Sequence, residues 1–161
     1  MTFSDHLPRH GLIVCASLVQ NSLNLGGLCR TAEVFRLECL VLPDLAMAES
    51  WTFRQVAVSA QRWQPLATCP PEQLASWLIA QKARGYRLVG LSPRGQHDLP
   101  AYEFRQKSVL LLGRELTGIP PELEQCCDDA IAIPQFGQVA SLNVHTAAAI
   151  AIYEYIRQHS D

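Results

Sequence analysis

Charge is scarce in this chain. Asp, Glu, Lys and Arg together make up 17% of the 161 residues and hydrophobic residues 48%, a balance too apolar for an intrinsically disordered segment. Long apolar runs are missing as well. None approaches the ~18 residues that a membrane-crossing helix requires, and residues 1–10 lack the basic-then-apolar pattern of a secretory leader. The expected location is the cytoplasm. No Cys-x-x-Cys pair occurs, and no grouping of Cys with His at zinc spacing. Six cysteines, at positions 15, 29, 39, 69, 126 and 127, are therefore expected to be reduced and mostly buried, with neither a disulfide nor a metal site.

Lysine is nearly absent. Only Lys82 and Lys107 stand against eleven arginines. The planar guanidinium fork suits bidentate contact with phosphate, yet a net charge of −2 argues against tight non-specific binding to nucleic acid. Acidic residues gather at 122–129, so charge can be segregated over the surface. Composition permits an RNA partner without requiring one.

What the chain does contain is a series of short buried-strand patterns. Residues 11–18, 37–42, 65–69, 86–91, 108–113 and 130–133 are apolar runs of strand length. Between the first two lies a loop and helix start bearing Gly26 and Gly27, so the opening is a βαβ unit. The Gly pair is not a dinucleotide fingerprint, because G-x-G-x-x-G is absent and no acidic residue follows at the required distance. Residues 51–61 read as a short helix. Residues 71–85 read as a longer one, with Pro71 in its first turn and Gly85 at its stop. Residues 92–105 read as a polar loop. Glu115 stands where it could cap a helix beginning near Pro120.

The last helix is the centre of the pattern. Ser141 is the expected N-cap, and Leu142, Ala149, Ile150, Ile152 and Tyr153 supply the expected apolar face. Ser141 and Asn143 then lie at the mouth of a hydrophobic helix. Gly113, at the end of a buried strand, lets backbone amides approach a ligand, and in open α/β sheets that edge is where ligands bind. With no repeats, linker or low-complexity segment, the expectation is one α/β domain over residues 1–161, with about six strands in a mostly parallel sheet and helices on both faces.

Three stretches carry a resemblance. Asn24-Leu-Gly-Gly-Leu-Cys-Arg30, Leu111-Leu-Gly-Arg-Glu-Leu-Thr-Gly-Ile119 and Ile133-Pro-Gln-Phe-Gly-Gln-Val-Ala-Ser-Leu-Asn-Val144 resemble, in order and spacing, the three motifs of the SpoU/TrmH family. These are S-adenosylmethionine-dependent RNA ribose 2′-O-methyltransferases of the SPOUT class. The resemblance implies a C-terminal deep trefoil knot and a donor site built from Leu112, Gly113, Ile133, Pro134, Ser141, Leu142 and Asn143. It also implies a homodimer, with Arg30 supplied from the partner subunit. Arg30 is then the residue that activates the ribose hydroxyl, and Asn24, Glu115, Ser141 and Asn143 position it or the substrate.

The chemistry agrees with that assignment. A sulfonium methyl is already a strong electrophile, so no metal is called for. The obstacle is the 2′-OH, a weak nucleophile whose proton must be taken up during in-line attack. tRNA is the expected substrate, with a D-loop guanosine as the favoured target. The tRNA wobble nucleotide, rRNA, a catalytically silent RNA-binding dimer of the same fold and a protein-interaction dimer stand as alternatives. Two departures from the family pattern flank the donor site: Arg114, where a small or amide residue is usual, and Ala140, where some members have Arg or Gln.

Overall fold

Seven parallel strands form a single sheet. In the computed structural model, which describes residues 8–160, they are β1 (His10–Cys15), β2 (Leu37–Leu42), β3 (Leu66–Thr68), β4 (Arg87–Leu91), β5 (His97–Asp98), β6 (Ser108–Leu111) and β7 (Asp129–Ala132). Their order across the sheet is β3-β2-β1-β6-β4-β7-β5, with every neighbouring pair parallel. The helices are α1 (Ser22–Val34), α2 (Trp51–Ala57), α3 (Leu74–Ala83), α4 (Pro121–Glu124) and α5 (Val144–His159). Residues 1–7, most of the stretch lacking a leader pattern, lie outside the described residues.

The strands read as unbroken apolar runs because both faces of the sheet are covered. Successive side chains point to opposite faces. Leu12, Val14, Leu40, Leu42, Leu110 and Leu112 pack with Leu28 of α1, Phe53 of α2 and Ala148, Ile152 and Tyr155 of α5. Ile13, Cys15, Val41, Val109 and Leu111 face the other way, onto Leu74 and Leu78 of α3 and Leu123 of α4. All six cysteines are free. Burial pushes the Cys15 and Cys29 thiols up to about 12, which leaves them un-ionised at neutral pH. Among the described residues, no helix is long and apolar enough to cross a membrane.

Several elements differ from the sequence expectation. The sheet has seven strands rather than about six, because the segment read as a polar loop contributes β5. Leu99, Tyr102 and Phe104 in that segment are buried. Tyr102 donates its hydroxyl to Asp129 Oδ2 at 2.7 Å, and Phe104 meets Tyr155 edge-on. The expected helix at 51–61 ends at Ala57, where Val58 and Ser59 turn into left-handed conformation ahead of a short 3₁₀ turn at Ala60–Arg62. Residues 71–73 form a 3₁₀ turn before α3, and Gly85, with φ of +94°, terminates that helix as expected.

The largest correction concerns α5. Its N-cap is Asn143, not Ser141: the Asn143 side chain accepts from the backbone N–H of His145 and Thr146. Its buried face is Ala148, Ala151, Ile152 and Tyr155. Of the five residues expected to face inward, Leu142, Ile150 and Tyr153 are exposed, Ala149 is half-buried and Ile152 is buried.

Candidate active site

The carboxyl ends of β4, β6 and β7 open onto a cavity of about 370 Å³, within the range of small-molecule sites. Three loops build it. Leu91–Arg94 follow β4, Leu112–Gly118 follow β6, and Ile133, Gln135 and Ala140–Leu142 come from the segment between β7 and α5, whose Val144 and Ala147 close the far wall. The lining joins apolar side chains (Leu91, Leu112, Ile133, Leu142) to polar and charged ones (Ser92, Arg94, Arg114, Glu115, Thr117, Gln135, Ser141). Such a mixture suits a molecule with both an apolar body and a charged end.

Gly113 is needed here for a reason other than ligand approach. A β-carbon on it would lie 2.5 Å from the Gly118 carbonyl carbon and 2.7 Å from Ile119 N. The loop folds back on itself there, with Arg114 and Gly118 exchanging two backbone hydrogen bonds of 3.0 Å. Gly118 turns the chain with φ of +75°. The bare backbone at 113 lets the loop close into a wall of the cavity.

Beside the cavity runs a chain of hydrogen bonds joining all three motif stretches. Asn143 Nδ2 donates to Asn24 Oδ1 at 2.9 Å, and Asn24 Nδ2 donates to Glu115 Oε1 at 3.4 Å. Glu115 also accepts from the backbone N–H of Asn21 at 2.9 Å and of Gln20 at 3.1 Å. It therefore sits at the N-terminus of α1, where a negative charge is favoured, and not at the helix near Pro120, which has no side-chain cap. Partial burial opposes its charge. The Asn21 N–H, aided by Asn24 and the Gln20 N–H, outweighs that and holds the carboxyl below the usual carboxylate range.

Five of the expected donor-site residues, Leu112, Gly113, Ile133, Ser141 and Leu142, line the cavity, whereas Pro134 and Asn143 do not. Asn24 lies in the first turn of α1 rather than in a loop. Arg30 is exposed further along the same helix, away from the cavity walls, and its side chain has no hydrogen-bond or ion-pair partner among the described residues. Both departures from the family pattern, Arg114 and Ala140, are lining residues. The Leu91–Arg94 wall went unrecognised in the sequence. The rule that points to the end of β6 applies equally to the end of β4, where Leu91 runs into Ser-Pro-Arg-Gly. Among the described residues no group of three or more His, Cys, Asp or Glu is placed to hold a metal ion.

A parallel α/β sheet with a ligand-sized cavity at its carboxyl edge is the arrangement of a small-molecule-binding α/β fold. Residues 11–153 match the SpoU rRNA Methylase family model, and the chain belongs to that family. The chain is 47% identical over 164 residues to the mouse tRNA (guanosine(18)-2′-O)-methyltransferase TARBP1 (Mus musculus), covering 98% of this chain and 10% of that protein. It is 37% identical to the tRNA (guanosine(18)-2′-O)-methyltransferase of Saccharomyces cerevisiae, covering 97% of this chain and 11% of that one. The chain thus spans about a tenth of the length of these two relatives. Among solved structures it is similar to an AdoMet-bound rRNA methyltransferase from Sinorhizobium meliloti, with a TM-score of 0.81 and 26% identity over 98% of this chain and 60% of that one.

Proposed function

We propose that this protein transfers a methyl group from S-adenosylmethionine to a ribose 2′-OH of tRNA, with a D-loop guanosine as the target. The observation that carries this reading is the hydrogen-bonded chain Glu115–Asn24–Asn143, set directly beside the cavity. It joins the three motif stretches into one site, and the two relatives named for guanosine 18 of tRNA match nearly the whole chain. The donor fits the cavity: apolar walls from Leu91, Leu112, Ile133 and Leu142 suit its adenosine, and Glu115, Thr117 and Ser141 supply polar contacts. When bound, the donor supplies an electrophilic methyl carbon, so the reaction calls for no metal.

The protein's own task is to prepare the hydroxyl. Arg30 orients the 2′-OH and a neighbouring phosphate through its guanidinium fork, and Asn24, Glu115, Ser141 and Asn143 hold the elements that present it. The position of Arg30 on an exposed helix face, apart from the cavity of its own chain, supports its delivery to the partner's site in a homodimer. Val34, Ile150 and Tyr153, exposed apolar residues of α1 and α5, support pairing through these two helices. The place of β7 between β4 and β5, with α5 returning to the α1 side of the sheet, supports reading the C-terminal segment as knotted. The site of action is the cytoplasm. Methylation of rRNA is the second reading, favoured by the rRNA methyltransferase of similar structure.

Mapping ribose methylation on total tRNA and rRNA, incubated with the protein and S-adenosylmethionine in EDTA, tests the reading. A new 2′-O-methylguanosine in the tRNA D-loop is expected. Modification of rRNA alone would establish the second reading, and donor binding without transfer to either RNA would leave a silent binding module. Sedimentation at micromolar concentration is expected to give twice the chain mass of 17.9 kDa. An active monomer would refute delivery of Arg30 across an interface.

A further inference from the structure

α5 grips α1 at two points on one stripe. Asn24, Gly27 and Thr31 are spaced i, i+3 and i+7 and so share a face of α1. At one end of the stripe Asn143 Nδ2 donates to Asn24 Oδ1 at 2.9 Å, and at the other His145 Nε2 lies 2.9 Å from Thr31 Oγ1. Between them the imidazole is flush with bare helix backbone, since a β-carbon on Gly27 would come within 2.5 Å of His145 Nδ1. Both grips come from the first turn of α5, because the same Asn143 side chain accepts from the His145 N–H at 2.9 Å. Burial holds the imidazole below the usual histidine range and favours a neutral ring between the helices.

Arg30 immediately precedes Thr31, about 100° round the helix from the gripped stripe. With no side-chain partner of its own, its starting direction is set by how α1 is rotated about its axis. A grip at Asn24 alone would let α1 roll about its first turn. The second grip removes that freedom at the residue next to Arg30.

We propose that His145 is a positioning residue for Arg30, locking the rotation of α1 through Thr31 and Gly27 so that the guanidinium meets the ribose hydroxyl. This rests on the methyltransferase reading above. The test is single-turnover methyl transfer by His145→Ala and by Thr31→Val, which removes a hydroxyl at nearly constant volume. Each is expected to slow transfer about 10- to 100-fold, the scale of an ångström-sized misplacement, with affinity for S-adenosylhomocysteine unchanged by calorimetry. His145→Gln, whose amide can occupy the place of Nε2, is expected to recover most of the rate. In an Arg30→Ala background His145→Ala is expected to add no further loss, since residues acting through one another are non-additive. Full activity of both single variants, or a His145→Ala loss that multiplies with that of Arg30→Ala, would overturn the proposal. Should His145→Ala fail to fold, Thr31→Val and His145→Gln decide it. An inactive wild-type protein would instead count against the methyltransferase reading itself.

Discussion

Arg30→Ala is expected to lower single-turnover methyl transfer by a factor on the order of 10²–10⁴, the range for losing a group that handles the proton. Donor affinity should be unchanged, because no cavity wall includes Arg30. The fold should tolerate the change, since an exposed side chain without partners costs about 0.5 kcal/mol or less on removal. Arg30→Lys should not rescue turnover, because an ammonium cannot reproduce the bidentate fork. If Arg30 serves the partner's site, mixing Arg30→Ala with subunits altered at the cavity-lining Gly113 (Gly113→Ala) should restore part of the activity, one site of each mixed dimer having both an intact cavity and an intact Arg30. Near-normal transfer by Arg30→Ala would remove the residue from the mechanism. Verified heterodimers without recovery would place it in its own subunit's site.

Gly113→Ala is expected to act through the donor instead. The added β-carbon would meet Gly118 C at 2.5 Å, Gly118 Cα at 2.7 Å and Ile119 N at 2.7 Å. All three are backbone atoms, so no side chain can swing aside. Overpacking of this kind costs about 1–3 kcal/mol. If the Leu112–Gly118 wall shifts to relieve it, affinity for S-adenosylhomocysteine should fall on the order of 10- to 100-fold. Calorimetry and thermal melting would measure the two effects. Wild-type values in both would show that the loop is held open by something other than the bare backbone at 113.

How far the site was legible in the sequence depended on whether local or distant residues decide each feature. The strands were readable because covering both faces leaves an unbroken apolar run, as in Ile13–Cys15 and Val109–Leu111. β5 was not, since two residues carry no pattern. Ser141 and Asn143 are chemically equivalent candidates for a helix cap. The choice of Asn143 coincides with its bond to Asn24, a residue 119 positions away. Glu115 shows the same limit: its partners, Gln20, Asn21 and Asn24, lie more than ninety positions earlier. A contact at that range leaves no trace in local spacing. The three motifs could be recognised as separate stretches, but not the single line of hydrogen bonds that unites them.

The all-parallel sheet also has a consequence for how the chain reaches its native state. No strand can pair with its successor through a tight hairpin, and β1 fills its second edge only with β6, Leu12 lying opposite Ser108. During synthesis β1, β2 and β3 can associate early, but the free edge of β1 must wait until two-thirds of the chain has emerged. Until then the cavity lacks most of its walls, since β6 and β7 provide two of the three strand ends that frame it. Topologies dominated by such distant pairings fold slowly and expose apolar edges while doing so. Refolding from denaturant should therefore recover donor binding in its slowest phase, well after α1 and α2 have acquired their helical signal.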